Sequence, residues 1–584
     1  MTTSRAWLLA PLAALLVIAG CGVPTSGPTT RVEQVPDDVG GAYQEVDPLL
    51  PTNNAEETVE AFLGASAGDW SSRDDRLKEF TEKGGTPWSE LESGNRLIRI
   101  DSDGIDLKDD ANVTSAHVEV TGTIVGTYRT DGQMVRYTGD EKKYSEVFDL
   151  VRDDVSEVWR ITNPPEQVVM SSAAFAERYE TRPIYFPAKG GTKTLVPDVR
   201  WMPTSIAKAQ ERYSQLLDWL LSGPSDGIAA SVHSAFPSGT TRKSVTVDES
   251  TVSVDISTEA ASQELGAPST MSAQVAWSLN LQEKQELSLL VEGQERQAEL
   301  VEEWSDYNHA PDDDPDARGR VYFLHEGTVV ASDTTAPFSG SQFDGLQQAN
   351  IDRSGQRLAG VANLGRSTMG VVVGDDEALS LVEGVSATSL SDPQWFSSKT
   401  LLVLADGKPT LVDIETGKMS SLDVKGSGNV TQLDLSPDGR RLAYVINGRP
   451  YVAAVTGVDG LSVDLAQPHR VGMGVTQVND LAWSQETRLM VIASVADSDD
   501  WLWELSIDNA YQEPLEGARD SAAEADTLAV RCGHPKSTDE PGQPVIVDVG
   551  GSIQRVFSDT VRPVTLRYGA EMTSASGYSP FTAG

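Results

Sequence analysis

The sequence is poor in cysteine, basic side chains, histidine and long apolar runs. Cys21 and Cys532 are the only two cysteines among 584 residues, so neither a disulfide framework nor a Cys-rich zinc site is available. Lys and Arg number 46 against 87 Asp and Glu, a formal net charge of −41. Such a field repels phosphate backbones, which excludes a general nucleic-acid binder, and it suits anionic lipid headgroups no better. There are 6 histidines, and no two stand at metal-ligand spacing on one helix or strand. Beyond the N-terminus no apolar run approaches the ~20 residues of a membrane span. What remains suits a folded body of about three or four domains, with 39% hydrophobic and 23% charged residues.

The chain opens with Arg5 and the apolar stretch Leu8–Gly20, too short to span a membrane and ended by small residues. Residues 1–20 therefore read as a signal peptide. The stretch closes on Ile18-Ala19-Gly20-Cys21, which resembles the lipobox of bacterial lipoproteins. That resemblance makes Cys21 the lipid attachment point, with Ile18, Ala19 and Gly20 as the processing signal. Residues 21–50, rich in Pro, Gly and acids, read as a tether.

Residues 51–185 read as an N-terminal α+β domain. Val59, Phe62, Leu63, Ser66 and Trp70 share one helical face, and Asn54 with Glu57 has capping-box spacing at its start. The pattern G-x-S-x-G at Gly64–Gly68 lies inside this helix, not at the strand-to-helix turn a nucleophile requires, so Ser66 reads as structural. Alternation puts Val118, Val120, Ile124 and Tyr128 on one side of a strand, and a hairpin turns at Asp153-Asp154. A helix before a curved antiparallel sheet resembles the cone-shaped folds of the nuclear-transport-factor-2 type. His117, in the strand, reads as structural.

Residues 200–298 change to helix, two strands, helix, strand. A helix with Ala209, Tyr213, Leu216, Leu217 and Leu220 on one face stops at Gly223-Pro224. The order LLSGP, AFPSGT, VTV, VSVDIS, helix, LSLLVEG resembles the GerMN α/β module of spore-germination and related envelope proteins. No paired acids, metal spacing or phosphate loop accompany it, and Trp219 and Trp277 read as core.

Residues 299–318 form an acidic linker. Asp312, Asp314 and Asp316 alternate as calcium ligands do, yet Ala317 and Phe323 replace the Gly and Glu an EF-hand needs. Over 319–568 the chain repeats: DRSGQRLAGVAN aligns with SPDGRRLAYVIN, and Leu358, Leu401, Leu442 and Leu489 recur at intervals of 43, 41 and 47 residues. Such periods in strand-rich sequence mean a propeller. Hairpins at VYFLHEGTVVAS, AGVANLGRSTMGVVV, LLVLADGKPTLVDI, AYVINGRPYVAAV, MVIASVADSDDWLWELSI and PVIVDVGGSIQRVF predict six blades. Asp406-Gly407 and Asn447-Gly448 are tight-turn pairs. The segment after Val556, containing VRPVTL, is expected to close the ring on the first blade, leaving 569–584 as a tail. Cys532 and His534 read as a lone thiol beside a loop histidine.

Lipobox, N-terminal block, GerMN module and weak-repeat propeller, in this order, resemble the LpqB lipoproteins of actinobacteria. The resemblance implies an extracytoplasmic protein, lipid-anchored to the cell membrane, with no cofactor. It also implies binding to the extracytoplasmic domain of a two-component sensor histidine kinase, with a role in growth, division and wall homeostasis. No catalytic constellation stands out, so binding is favoured over catalysis. The alternative is an envelope scaffold or a propeller-type hydrolase acting on wall components.

Overall fold

Asn54 starts the first helix, Ala55–Ala65, by accepting the backbone N–H groups of Glu56 at 2.8 Å and Glu57 at 3.2 Å. The reciprocal half of a capping box does not form. Thr52 supplies it, with its hydroxyl oxygen taking the Asn54 N–H at 3.0 Å while its O–H donates to Glu57 at 3.2 Å. In this computed structural model, residues 49–582 are described apart from 83–93, 109–113, 138–140, 154–155, 191–192, 249, 263–266, 282–284, 301–306, 309–319, 334, 353, 377, 497, 520–524, 531–544, 558–559 and 569–570. Everything from Val46 onward belongs to one compact unit.

The helix buries Val59, Phe62 and Leu63 against the N-terminal sheet, with Phe62 edge-on to Phe80 and Phe148, each at 6.0 Å between ring centroids. The main path of that sheet runs Trp159–Ile161, Lys142–Arg152, Ser115–Tyr128, Asn95–Leu107, Val169–Ser171, antiparallel except for the last pair. Val118, Val120 and Tyr128 are buried as the alternation predicts, but Ile124 is not. Leu97 faces Gly126 and Ile98 faces Ile124, so Val125 is an extra residue in its strand. The extra residue puts Val125 into a second core with Leu97, Tyr128 and Phe175, while Ile124 stays partly buried against the core that holds Val118 and Val120.

In the second module the sheet order is Arg242–Val247, Thr251–Ile256, Glu286–Val291, Gln294–Leu300. The central pair is parallel, and helix Ala267–Ser278 makes the crossover. Helix Ala209–Leu221 buries Leu216, Leu217, Trp219 and Leu220 and ends before Gly223, whose φ is +96°. Trp219 and Trp277 are both buried. The module begins earlier than position 200: the hairpin Ile184–Pro187 with Leu195–Asp198 packs into its core. Short strands of this kind are stable only against a larger body, which is why no local pattern assigned them.

Among the described residues the remaining strands form two two-stranded ribbons, Tyr179–Thr181 with Trp201–Pro203 and Thr565–Tyr568 with Glu571–Ser574, beside five four-stranded sheets and one three-stranded sheet. Their inner strands are Leu346–Ile351, Leu390–Trp395, Val430–Leu435, Val475–Gln485, Thr527–Ala529 and Tyr578–Phe581, each packed beside the next in a closed ring. Each expected hairpin supplies the second and third strands outward from an inner one. Asp406 and Gly407, like Asn447 and Gly448, all have φ between +49° and +75°, as a two-residue turn between twisted strands requires.

Ring closure departs from the sequence expectation. Val561–Pro563 is the outermost strand of the preceding sheet, and Thr565–Tyr568 pairs instead with Glu571–Ser574. Tyr578–Phe581, within the stretch read as a tail, pairs with Tyr322–His325, so that Tyr322 faces Phe581 and their rings stack at 5.4 Å. Both positions lie at a sheet edge and tolerate proline, Pro563 on the outer strand and Pro580 on the inner one, so the burial of Phe581 against Tyr322 rather than the proline distinguishes them.

Candidate functional site

Ile18, Ala19, Gly20 and Cys21 lie outside the described residues, as do Asp312, Asp314, Asp316, Cys532 and His534. Ser66 is fully buried at the helix end and donates its hydroxyl to the Phe62 carbonyl at 2.9 Å, a structural bond with no adjacent base. His117 sits on an exposed strand face beside Asp149 at 2.8 Å. The turn carboxylate of Asp406 accepts the Thr388 hydroxyl and the backbone N–H groups of Thr388 and Ser389. These bonds hold it below the usual carboxylate range and tie the turn to the start of its own sheet's inner strand, Leu390–Trp395.

The enclosed chemistry lies in the propeller channel, a cavity of about 200 Å³ walled by the inner strands. An inner strand has one free edge, and its backbone N–H groups there need acceptors. Side chains of the neighbouring blade supply them. Gln348 accepts the N–H of Asp392 at 2.7 Å, and Asp392 accepts that of Leu433. Asp434 accepts the N–H of Trp483 at 2.8 Å, and Asp480 that of Leu528 at 2.8 Å. Four successive blades are thus stitched to their neighbours by side chains at related positions on their inner strands.

Burial is the main influence on these acids. It pushes the carboxyls of Asp434 and Asp480 up to about 7, against the pull of the N–H groups that they accept. Asp392 is raised well above its ordinary value by burial, and further by the nearby Asp480 and Asp434. Among the described residues no Lys, Arg or His lines the cavity to compensate them. The channel can therefore hold protons near neutral pH. Among the described residues no group of three or more His, Cys, Asp and Glu could hold a metal ion, and no helix is long and apolar enough to cross a membrane.

These acids were missed in the sequence, although a signal was present. Gln348, Asp392, Asp434 and Asp480 precede the recurring leucines Leu358, Leu401, Leu442 and Leu489 by 10, 9, 8 and 9 residues. Among so many acids the spacing was visible only once strand register had been fixed.

Comparison with known proteins gives three family models in chain order. Residues 48–176 match the lipoprotein LpqB N-terminal domain, residues 183–297 the sporulation and spore germination (Germane) model, and residues 327–530 the lipoprotein LpqB beta-propeller domain. Lipoprotein LpqB of Rhodococcus jostii (strain RHA1) is 24% identical over 528 residues, 83% of this chain and 84% of that one. The Thermobifida fusca (strain YX) protein of the same name is 28% identical over 508 residues, 82% and 73% of the two chains. That of Mycobacterium tuberculosis (strain CDC 1551 / Oshkosh) is 26% identical over 512 residues, 80% and 83%. With all three modules matched in order and these relatives aligned over most of both chains, this chain belongs to the LpqB family of envelope lipoproteins.

Proposed function

We propose that residues 1–20 are removed, that Cys21 carries the lipid, and that the mature protein works on the extracytoplasmic face of the cell membrane. There it binds the extracytoplasmic domain of a sensor histidine kinase and alters its output, with consequences for growth, division and wall homeostasis. The observation that carries this reading is the joining of all three modules into one compact unit behind a lipobox-like sequence. Such a body offers binding surface on a tether, and its chemistry is not needed for the effect. A binder alters a kinase by favouring one of its signalling states, through unequal affinity for them.

Two physical features support the reading. Sharing one membrane with the partner raises the effective concentration, so a weak affinity between soluble domains suffices. The net charge of −41 favours a basic face on the partner and makes association slower in salt. The test compares kinase phosphorylation with the native protein, with Cys21→Ser, and with none. Equal output in the first and third conditions removes the kinase reading.

The channel acids are the observation on the side of a propeller-type hydrolase acting on wall components. Carboxyls near 7 are suited to proton transfer, but one oxygen of each is engaged by the backbone of the next blade, and each also accepts the N–H of the residue that follows it. Turnover of wall glycans that is lost on Asp434→Asn or Asp480→Asn would favour the hydrolase.

A further inference from the structure

Two short antiparallel ribbons lie where the N-terminal domain, the germane module and the propeller meet. One pairs Tyr179–Thr181 with Trp201–Pro203, and the other pairs Ile184–Pro187 with Leu195–Asp198. Their polar groups are distributed among all three bodies. Toward the N-terminal domain, the Trp201 backbone N–H donates to the Gly132 carbonyl at 2.8 Å, and its carbonyl accepts the Tyr128 hydroxyl at 2.7 Å. Toward the germane helices, Asp198 accepts the N–H and hydroxyl of Ser225 at 2.7 and 2.6 Å, and the Tyr185 N–H donates to the Ser278 hydroxyl at 2.9 Å. Toward the propeller, the Trp201 indole N–H donates to Asp508 at 2.7 Å and the Tyr185 hydroxyl to Glu486 at 2.6 Å. The Arg441 guanidinium donates to the Pro197 carbonyl.

The Trp201–Asp508 and Arg441–Pro197 contacts are buried, and those of Tyr185 with Glu486 and of Asp198 with Ser225 partly so. Tyr185 is 3% exposed, Trp201 2%, Arg441 2% and Asp508 8%. Two-stranded ribbons of three or four residues do not hold a shape alone in water, so this one is imposed by its three neighbours together. Asp508 is buried with its oxygens committed to Trp201, Ser506 and Ala510, so losing the indole donor leaves a desolvated acceptor short of a partner. A ribbon released on one side cannot keep its geometry on the other two.

We propose that the paired ribbons form a three-way coupler, so that a change of state in any one of the three bodies is transmitted to the other two. The ligand that exploits it need not be a kinase, and the proposal stands or falls apart from the signalling reading. Its content is a coupling free energy between Tyr185–Glu486 on one ribbon and Trp201–Asp508 on the other.

Hydrogen exchange on the purified full chain tests this with Tyr185→Phe, Trp201→Phe and the double variant. Tyr185→Phe removes one hydroxyl and keeps the ring. It should nevertheless speed exchange of the Trp201 amide, bound to the N-terminal domain, by about tenfold, the scale of one lost charged hydrogen bond. Trp201→Phe should do the same to the amides of Tyr185 and Ser225, and the double variant should fall short of the sum of the singles. Should Trp201→Phe fail to fold, the Tyr185→Phe comparison stands alone. Faster exchange confined to amides around each substituted residue, with additive singles, overturns the coupler.

Discussion

Asp480 reaches across from one inner strand of the propeller to accept the backbone N–H of Leu528 in the next, at 2.8 Å. The same carboxyl lines the channel, half-buried, and the desolvation of its surroundings raises its pKa to about 7. The stitch that joins two blades is thus also a place where charge is costly. The unfolded chain returns the group to about 4. Its stabilising contribution is therefore fully present below about 4 and is lost as pH rises through about 7. Asp434 follows the same rule. Melting of the full chain should accordingly fall between pH 5 and pH 8. Asp480→Asn keeps an acceptor oxygen and removes the charge, so it should raise the pH 8 melting temperature by a few degrees, roughly 2–4 °C per kcal/mol. A variant that melts with the parent's full pH slope would show that the carboxyl is not the titrating group.

Ring closure by Tyr578–Phe581 predicts a marked sensitivity at the extreme C-terminus. Phe581 is 6% exposed and stacked on Tyr322, and Phe581→Ala should cost about 3–5 kcal/mol. Ending the chain at Gly577 removes the strand altogether and exposes the edge of Tyr322–His325. Calorimetry and light scattering should show a lower transition and self-association. A shortened chain that melts like the parent rules out this closure.

Gly132 has φ +77°, and a Cβ there would come within 2.7 Å of the Trp219 ring. The N-terminal domain thus approaches the germane module through a glycine that allows both the backbone shape and the contact. Gly132→Ala should destabilise by roughly 1–3 kcal/mol, from strain and overpacking together. Denaturant unfolding of the variant beside the parent reports it, and an unchanged midpoint would contradict the packing.

Anchoring is tested by Cys21→Ser. Fractionation should find the variant released from membranes, with the native protein retained. Retention of the variant with normal processing would exclude lipid on Cys21.

Some features follow from local chemistry and were legible along the chain. The six hairpins form where alternation and turn pairs place them, because Asn447-Gly448 and Asp406-Gly407 adopt positive φ for reasons internal to two residues. The first helix begins at Asn54 and the germane helix ends before Gly223 for equally local reasons. Other features depend on partners far away in sequence. Val125 enters a second core beside Tyr128, and Ile124 is only partly buried, because the strand gains one residue against its partner, and no pattern within 115–128 records that. Tyr578–Phe581, rather than VRPVTL, closed the ring because the gap beside Tyr322 chose among several short strands by burial. The acids of the channel and the meeting of Trp201 with Asp508 exist only after blades and domains converge, since groups 307 residues apart have no shared local signal. Sequence by itself determined the modules, their order and their hairpins. Tertiary structure decided which strand closed the ring, which acids were desolvated and which ribbons joined the bodies, because burial is set by what packs outside an element rather than by what it contains.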